Sequence, residues 1–215
     1  MVERVNVSKL VHGLLETKRG LYIAPERKTL ASGKTSYVYF NIGDEVISHP
    51  YLKDMVVNAL VQTYRQVPIQ IRANVDRLVG VPEGANMLAS SFGDRVRIGQ
   101  LRIRETKTEH GDQCSIEGSF DPNMKVAIIE DVIGTGGSTN TRANLPLLMA
   151  KLIPTAVIAL IDRQYGGVQK FRNLGYAVQA FATTTEIAEV LINENLVSDQ
   201  QIRLLQEELG ELKTT

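Results

Sequence analysis

The sequence has no tryptophan, one cysteine and no excess charge of either sign. Cys114 cannot close a disulfide within the chain, and its polar neighbours give no indication of an activating base. Lysine plus arginine and aspartate plus glutamate number 24 each, so the chain lacks the basic excess typical of nucleic-acid-binding proteins. No apolar run is long enough to span a bilayer, and residues 1–10 contain no signal-peptide core. We therefore expect a cytoplasmic protein with neither a nucleic-acid nor a membrane partner.

The length of 215 residues and the 43% hydrophobic content suit one globular domain over residues 1–215. Apolar strand-like runs alternate with amphipathic helical segments, a pattern typical of an α/β fold with a parallel sheet. The predicted strands cover residues 36–41, 77–81, 95–104, 126–129, 155–161 and 176–181. The predicted helices cover residues 8–16, 50–66, 139–152, 185–193 and 199–209, and Pro146 must kink the third or lie near its start.

One stretch, KVAIIEDVIGTGGST at residues 125–139, combines a strand, two acids and a glycine-rich turn. Residues 126–129 are apolar without alternation, as in a strand buried on both faces of a parallel sheet. Glu130 and Asp131 follow at its carboxyl end, where open α/β sheets place their ligands. Two adjacent carboxylates beside a buried strand end are costly without a partner, so we expect them to bind a ligand.

The turn after these acids has the composition of a phosphate site. Gly136 and Gly137 allow backbone N–H groups to point inward, next to the positive end of the following helix dipole. A Walker loop would need a lysine at Gly137, and a Rossmann loop would have its acid after the glycines. A ribose 5-phosphate satisfies both features, because its hydroxyls can donate to Glu130 and Asp131 while the turn holds the phosphate.

The string IIEDVIGTGGST resembles the phosphoribosyl pyrophosphate (PRPP) motif of the type I phosphoribosyltransferases. The resemblance implies their fold: a central, mostly parallel sheet flanked by helices, with a small N-terminal hood made mainly of residues 1–48. It also implies that the turn at residues 81–85 binds pyrophosphate. The implied PRPP-binding residues are Glu83, Gly84, His110, Glu130, Asp131, Gly134, Thr135, Gly136, Gly137 and Ser138.

Two further segments resemble the orotate phosphoribosyltransferases in particular. TLASGKTSYVYFN, at residues 29–41, is similar to their N-terminal segment, which implies that Tyr39 and Phe40 lie by the orotate ring. LIDRQYGG is similar to a segment whose arginine, here Arg163, clamps the orotate carboxylate. The chain departs from the family pattern at Ala31, where lysine is usual, and at Gly134, where threonine is usual.

Residues 104–117, RETKTEHGDQCSIE, are polar and without periodicity, so we expect a loop. Composition alone leaves open whether this loop is a functional flap or a solvated segment. The resemblance implies a flexible flap that reaches the neighbouring subunit's site in a homodimer. Lys107 is then the catalytic lysine, with one residue inserted before Gly111, and Arg104 and His110 add positive charge.

The resemblance implies that orotate and PRPP give orotidine 5-monophosphate and pyrophosphate, a step of pyrimidine nucleotide biosynthesis. The implied cofactor is Mg²⁺, held mainly through PRPP and water without a direct protein ligand. Lys107, Arg104 and Asp131 are the expected catalytic residues. Two alternatives remain open: a related phosphoribosyltransferase for another nucleobase, and a regulator that binds PRPP without turnover.

Overall fold

The computed structural model describes residues 4–108 and 111–212, and for residues 105–108 and 111–114 it describes the backbone alone. The strands within these residues are β1 Leu21–Thr29, β2 Thr35–Phe40, β3 Arg77–Gly80, β4 Gly99–Thr108, β5 Gly111–Glu117, β6 Lys125–Ile133, β7 Ile153–Asp162 and β8 Ala177–Thr183. The α-helices are α1 Val7–Glu16, α2 Ile42–Ser48, α3 Pro50–Tyr64, α4 Ile69–Arg72, α5 Asn86–Val96, α6 Leu145–Met149, α7 Gly167–Asn173, α8 Thr184–Asn193 and α9 Asp199–Leu212.

The central sheet has the strand order β5-β4-β3-β6-β7-β8 and is parallel except for the β4–β5 pair. Successive residues of β6 face opposite sides: Ala127 and Ile129 join one apolar cluster, whereas Val126 and Ile128 join another. The strand is therefore covered on both faces, which explains its continuous apolar sequence. The predicted α/β fold with a mostly parallel, helix-flanked sheet is confirmed.

The chain reverses its direction of winding between β3 and β6. From β3 it moves outward to β4, whereas from β6 it moves the opposite way through β7 to β8. Such a switch point opens a crevice at the carboxyl ends of the two strands. Strand β6 continues past the predicted residue 129 to Ile133, so Glu130 and Asp131 lie within its last four residues, close to this crevice.

The hood contains α1, the antiparallel pair β1–β2 and α2. Helix α9, from the other end of the chain, packs against both strands of the hood. Glu208 lies three residues after Leu205, on the packed face of α9, and its side chain is buried against β2. The hood is therefore tied to the last helix of the described chain.

Residues 104–117 differ from the expected loop. The backbone of β4 continues to Thr108 and pairs antiparallel with β5, placing Lys107 opposite Asp112. Backbone pairing between two strands does not require alternating apolar and polar residues, so the periodicity of the sequence could not reveal this hairpin. Strand β4 also starts at Gly99 rather than at residue 95, because α5 extends to Val96 and ends on Arg97 in the left-handed conformation.

The predicted helix over residues 139–152 is interrupted. Residues Thr139–Asn144 form a π-helical turn, and α6 begins immediately afterwards with Pro146 in its first turn. Proline has no N–H to donate to the carbonyl four residues earlier and would clash with it. The wider π turn avoids that clash, and the helix ends at Met149, three residues before the predicted end.

Every helix within residues 4–108 and 111–212 is too short or too polar to cross a lipid bilayer.

Candidate active site

A cavity of about 310 Å³ lies at the switch point between β3 and β6. Its walls come from the hood, the turn after β3, the end of β6, the start of the π turn and the end of β7. Of the residues expected to form the site, the cavity is lined by Phe40, Glu83, Gly84, Glu130, Asp131, Gly134, Thr135, Gly136, Gly137, Ser138 and Arg163. Residues separated by more than a hundred positions in sequence therefore meet around one space.

Glu130 and Asp131 differ strongly in their surroundings. Glu130 is 4% exposed, and its Oε2 accepts a hydrogen bond of 2.7 Å from the Thr139 hydroxyl. Burial, reinforced by the nearby Asp131, raises the pKa of Glu130 well above its ordinary value. Asp131 is half-buried, and its Oδ1 accepts the N–H of Val132 at 2.8 Å. Asp131 is thus the more accessible acceptor of the pair.

We name residues 134–138 the phosphate loop. Gly136 has φ +69°, a left-handed conformation that favours glycine. The loop packs tightly on the Gly166-Gly167 turn, since a Cβ on Gly167 would lie 2.4 Å from the Gly134 carbonyl oxygen and 2.7 Å from the Gly136 nitrogen. The Gly167 N–H donates to that same carbonyl at 2.9 Å. Two glycine turns, one after β6 and one after β7, therefore support each other.

The turn after β3, residues 81–85, forms the opposite wall. Asp131 Oδ2 would lie 2.8 Å from a Cβ on Gly84, so that glycine makes room for the carboxylate. Helix α2 of the hood presses on the same turn, because a Cβ on Gly43 would lie 2.7 Å from the Gly84 Cα. Glu83 lines the cavity here.

Arg163 and Phe40 form the wall between β7 and the hood. Arg163 is 8% exposed, its Nη1 donates to the Val38 carbonyl at 2.8 Å, and its guanidinium lies 4.9 Å from the Phe40 ring centroid. Burial lowers the pKa of Arg163, and the neighbouring Tyr165, Glu208, Tyr39 and Asp131 oppose that effect. A guanidinium stays charged in proteins, so this wall presents a poorly hydrated cation suited to an anion.

Two residues predicted from the sequence, Tyr39 and Arg104, are not among the described residues that line the cavity. Tyr39 points away from Phe40 along β2 and stacks on Tyr22 at 5.1 Å between ring centroids. The Arg104 side chain is exposed and forms an ion pair with Glu117 at 3.0 Å. For Lys107 only the backbone is described, and His110 lies outside the described residues.

The structure also brings in Arg142, which the sequence analysis missed. This half-buried arginine lies on the π turn and lines the cavity. The sequence feature that could have identified Arg142 is its position four residues after Ser138, because residues four apart lie on one face of a helix. Ala31 lines the cavity as well.

No family model matches the chain, but curated proteins and solved structures do. The chain is 33% identical over 163 residues to orotate phosphoribosyltransferase from Sorangium cellulosum, covering 74% of this chain and 82% of that protein. It is 27% identical over 173 residues to uridine 5'-monophosphate synthase from Caenorhabditis elegans, covering 80% of this chain. The match spans only 34% of that longer synthase, about a third of its length.

The solved structure of Leishmania donovani UMP synthase superposes with a TM-score of 0.79 and 24% identity, covering 95% of this chain and 42% of that chain. This likeness concerns the fold, which is that of the type I phosphoribosyltransferases. The relationship to the bacterial enzyme extends over most of both sequences, and the acids, glycine turns and buried arginine meet in one cavity. The chain belongs to the orotate phosphoribosyltransferase family.

Proposed function

We propose that this protein transfers the 5-phosphoribosyl group from PRPP to orotate, giving orotidine 5-monophosphate and pyrophosphate. The observation that carries the proposal is the single cavity that unites the acidic pair, the phosphate loop and the buried Arg163. The distribution of charge matches the two substrates. The loop N–H groups suit the 5-phosphate, the acids suit the ribose hydroxyls, and Arg163 suits the orotate carboxylate.

Cleavage of the anomeric C–O bond builds positive charge on the ribose and negative charge on pyrophosphate, as in other glycosyl transfers. In the proposed mechanism Asp131 accepts from the ribose hydroxyls and stabilises the developing positive charge. Glu83 and Gly84 line the cavity next to Asp131, and the proposal assigns them to the departing pyrophosphate. Arg163 and Phe40 orient orotate for attack, the arginine by pairing with the carboxylate and the ring by packing on the heterocycle.

Positive charge for the leaving pyrophosphate comes from several side chains in this proposal. Arg142 already lines the cavity. Arg104 would exchange its surface partner Glu117 for pyrophosphate. Its ion pair with Glu117 is weak because both side chains are about half exposed. Lys107 and His110 complete the proposed set by resemblance to the family, acting from a flap that crosses to the neighbouring subunit of a homodimer.

Mg²⁺ is the proposed cofactor, and the donors at this site fit it. Mg²⁺ is typically held by one or two carboxylates together with substrate phosphates and water. Asp131 offers an accessible carboxylate of this kind. Among the side chains that the structure describes, no group of three metal-binding residues comes together. In the proposal the ion is held mainly by PRPP and water, where it would supply neutralising charge to the phosphate oxygens. The proposed compartment, the cytoplasm, follows from the reaction rather than from any structural feature.

The test is a panel of bases assayed for pyrophosphate release from PRPP with Mg²⁺: orotate, uracil, adenine and hypoxanthine. Orotate and uracil differ by the carboxylate that Arg163 is proposed to bind. We expect turnover with orotate, and a loss of the orotate preference over uracil in Arg163→Lys, whose ammonium cannot form the paired hydrogen bonds of a guanidinium.

Preferred turnover of another base would favour the second candidate, a phosphoribosyltransferase with a different acceptor. Two observations on the cavity wall motivate that candidate. Ala31 supplies no positive charge, and Gly134 supplies no hydroxyl. Absence of pyrophosphate release with all four bases, together with measurable PRPP binding, would instead favour a non-catalytic PRPP-binding protein.

A further inference from the structure

The most completely buried carboxylate outside the proposed site belongs to Glu208 on α9, which is 2% exposed. Four groups that donate hydrogen bonds or carry positive charge surround it. Its Oε1 accepts from the Ser36 hydroxyl at 2.9 Å and from the Tyr165 hydroxyl at 2.9 Å. Its Oε2 accepts from the Tyr37 N–H at 3.1 Å and lies 3.5 Å from Arg27 Nη1. The carboxylate thus accepts three hydrogen bonds and faces one guanidinium.

One branch of this network leads to Arg163 through the hood. Ser36 donates to Glu208 and accepts the Val38 N–H at 3.0 Å. The Val38 carbonyl in turn accepts from Arg163 Nη1 at 2.8 Å. The conformation of strand β2 at Val38 therefore depends on Ser36, and the buried guanidinium is anchored on that strand.

The other branch reaches the same wall through Tyr165, two residues after Arg163. Burial and the neighbouring Glu208 carboxylate raise the pKa of Tyr165 to about 12, so this phenol stays protonated and donates. A Cβ on Gly134 would lie 3.8 Å from the Tyr165 ring and 3.9 Å from Arg163 Cδ. Glu208 therefore holds the Tyr165 ring beside the phosphate loop and also holds strand β2.

We propose that Glu208 is a positioning residue for the acceptor base: it fixes β2 and Tyr165 so that Arg163 and Phe40 present one rigid wall to the cavity. The proposal rests on the proposed function for the identity of the base. Glu207 provides a matched control, because it lies on the same helix and contacts Arg27 and Tyr37 of the hood but is exposed.

The first measurement compares the full-length wild-type protein with Glu208→Gln and Glu207→Gln. Glutamine has nearly the volume of glutamate, but its amide N–H group would point at partners that themselves donate hydrogen bonds. The wall formed by Arg163 and Phe40 should therefore loosen. We expect Glu208→Gln to raise the KM for orotate about tenfold, with the KM for PRPP changed less than about twofold. The ratio of affinities for orotidine 5-monophosphate and ribose 5-phosphate, measured by calorimetry, should fall by a similar factor. Glu207→Gln should leave both quantities near the wild-type values.

An unchanged orotate KM and affinity ratio in Glu208→Gln would overturn the proposal. Equal weakening of orotate and PRPP would also overturn it, because that pattern indicates general loosening rather than positioning of the base. If wild-type protein does not act on orotate, the proposed function fails, and hydrogen exchange of residues 36–40 decides the role of Glu208. Faster exchange in Glu208→Gln than in Glu207→Gln supports the positioning role, and equal exchange contradicts it.

Discussion

At the scale of single residues, the two adjacent acids of the site have different physical characters. Glu130 is buried and hydrogen-bonded to Thr139, whereas Asp131 is partly open to the cavity. A carboxyl whose pKa is raised by folding lowers the stability of the fold as pH rises above the pKa of that group in the unfolded chain. Glu130 therefore reduces stability at neutral pH, as is common for residues retained at functional sites.

The first prediction concerns the pH dependence of stability in Glu130→Gln. The folded-state pKa of Glu130 is raised, so the folded protein binds more protons than the unfolded chain as pH rises above the ordinary value of 4.5. Wild-type stability should thus fall as pH rises toward the folded-state value, and glutamine should remove that fall. We expect the variant to have a Tm higher by about 3 °C at pH 7, which for a domain of this size corresponds to ~1 kcal/mol.

Below the ordinary pKa of glutamate the two proteins should unfold at similar temperatures, because both then carry a neutral side chain at this position. Thermal unfolding followed by circular dichroism from acid to neutral pH measures the difference. Glu16→Gln, a change at an exposed acid of α1, serves as the control and should show no such divergence. Equal Tm values for Glu130→Gln and wild type at neutral pH would contradict the destabilising role.

At the scale of elements, the phosphate loop depends on a second turn that is distant in sequence. The Gly166-Gly167 turn follows β7, yet its backbone touches the loop that follows β6. Parallel strands end at the same edge of the sheet, so the turns after neighbouring strands come into contact there. The shape of the phosphate loop is therefore set by packing between turns as well as by its own glycines.

The second prediction compares Gly167→Ala with Gly134→Ala. At Gly167 the added methyl would lie 2.4 Å from a backbone oxygen, so the two turns must move apart. At Gly134 its nearest neighbours are at 3.8 Å and 3.9 Å, which is ordinary contact. We expect Gly167→Ala to weaken ribose 5-phosphate binding by about tenfold or more, while Gly134→Ala changes it less than about twofold. Calorimetric titration tests both variants, and similar affinities for the two would show that the turns are not coupled.

At the scale of the whole molecule, the proposed reaction needs positive charge that the described cavity supplies only in part. The described lining contains Arg142 and Arg163, and the latter is anchored on the hood. The β4–β5 hairpin carries the backbone of Lys107 away from the body of the sheet as its outermost pair of strands. A second subunit that contributes its hairpin would complete the site.

The third prediction is complementation between two inactive variants. Lys107→Ala removes the proposed flap charge, and Asp131→Ala removes the proposed ribose acceptor from the other face of the site. If each site takes its flap from the neighbouring subunit, mixed dimers contain one site with both groups intact. Mixing and subunit exchange should then restore about a quarter of wild-type activity for random assortment, which is an order-of-magnitude expectation from the symmetry of a two-fold dimer.

Activity that stays at the level of the separate variants, in a mixture shown to contain mixed dimers by native mass spectrometry, would place both groups in one subunit. Sedimentation of the wild-type protein provides the control for assembly. Arg163 is unsuitable for this experiment, since its loss would also remove a hydrogen bond to the buried Val38 carbonyl.

The sequence by itself determined the parts of this protein that depend on local pattern. The apolar run at residues 126–129, the acids after it and the glycines of the phosphate loop predicted a buried strand with a ligand at its carboxyl end. Backbone sterics and burial act over a few residues there, so the pattern is sufficient. Arg163 was identified differently, by the resemblance of LIDRQYGG to a segment of the orotate phosphoribosyltransferases.

Only the tertiary structure decided which distant residues share a wall. The opposite orientations of Tyr39 and Phe40, the entry of Arg142 and the burial of Glu208 depend on how the hood, the π turn and α9 pack together. Side-chain direction on a strand alternates with each residue, and the solvent exposure of a helical acid depends on what packs against it. These contacts join residues far apart along the chain, so local pattern alone does not show which side chains meet.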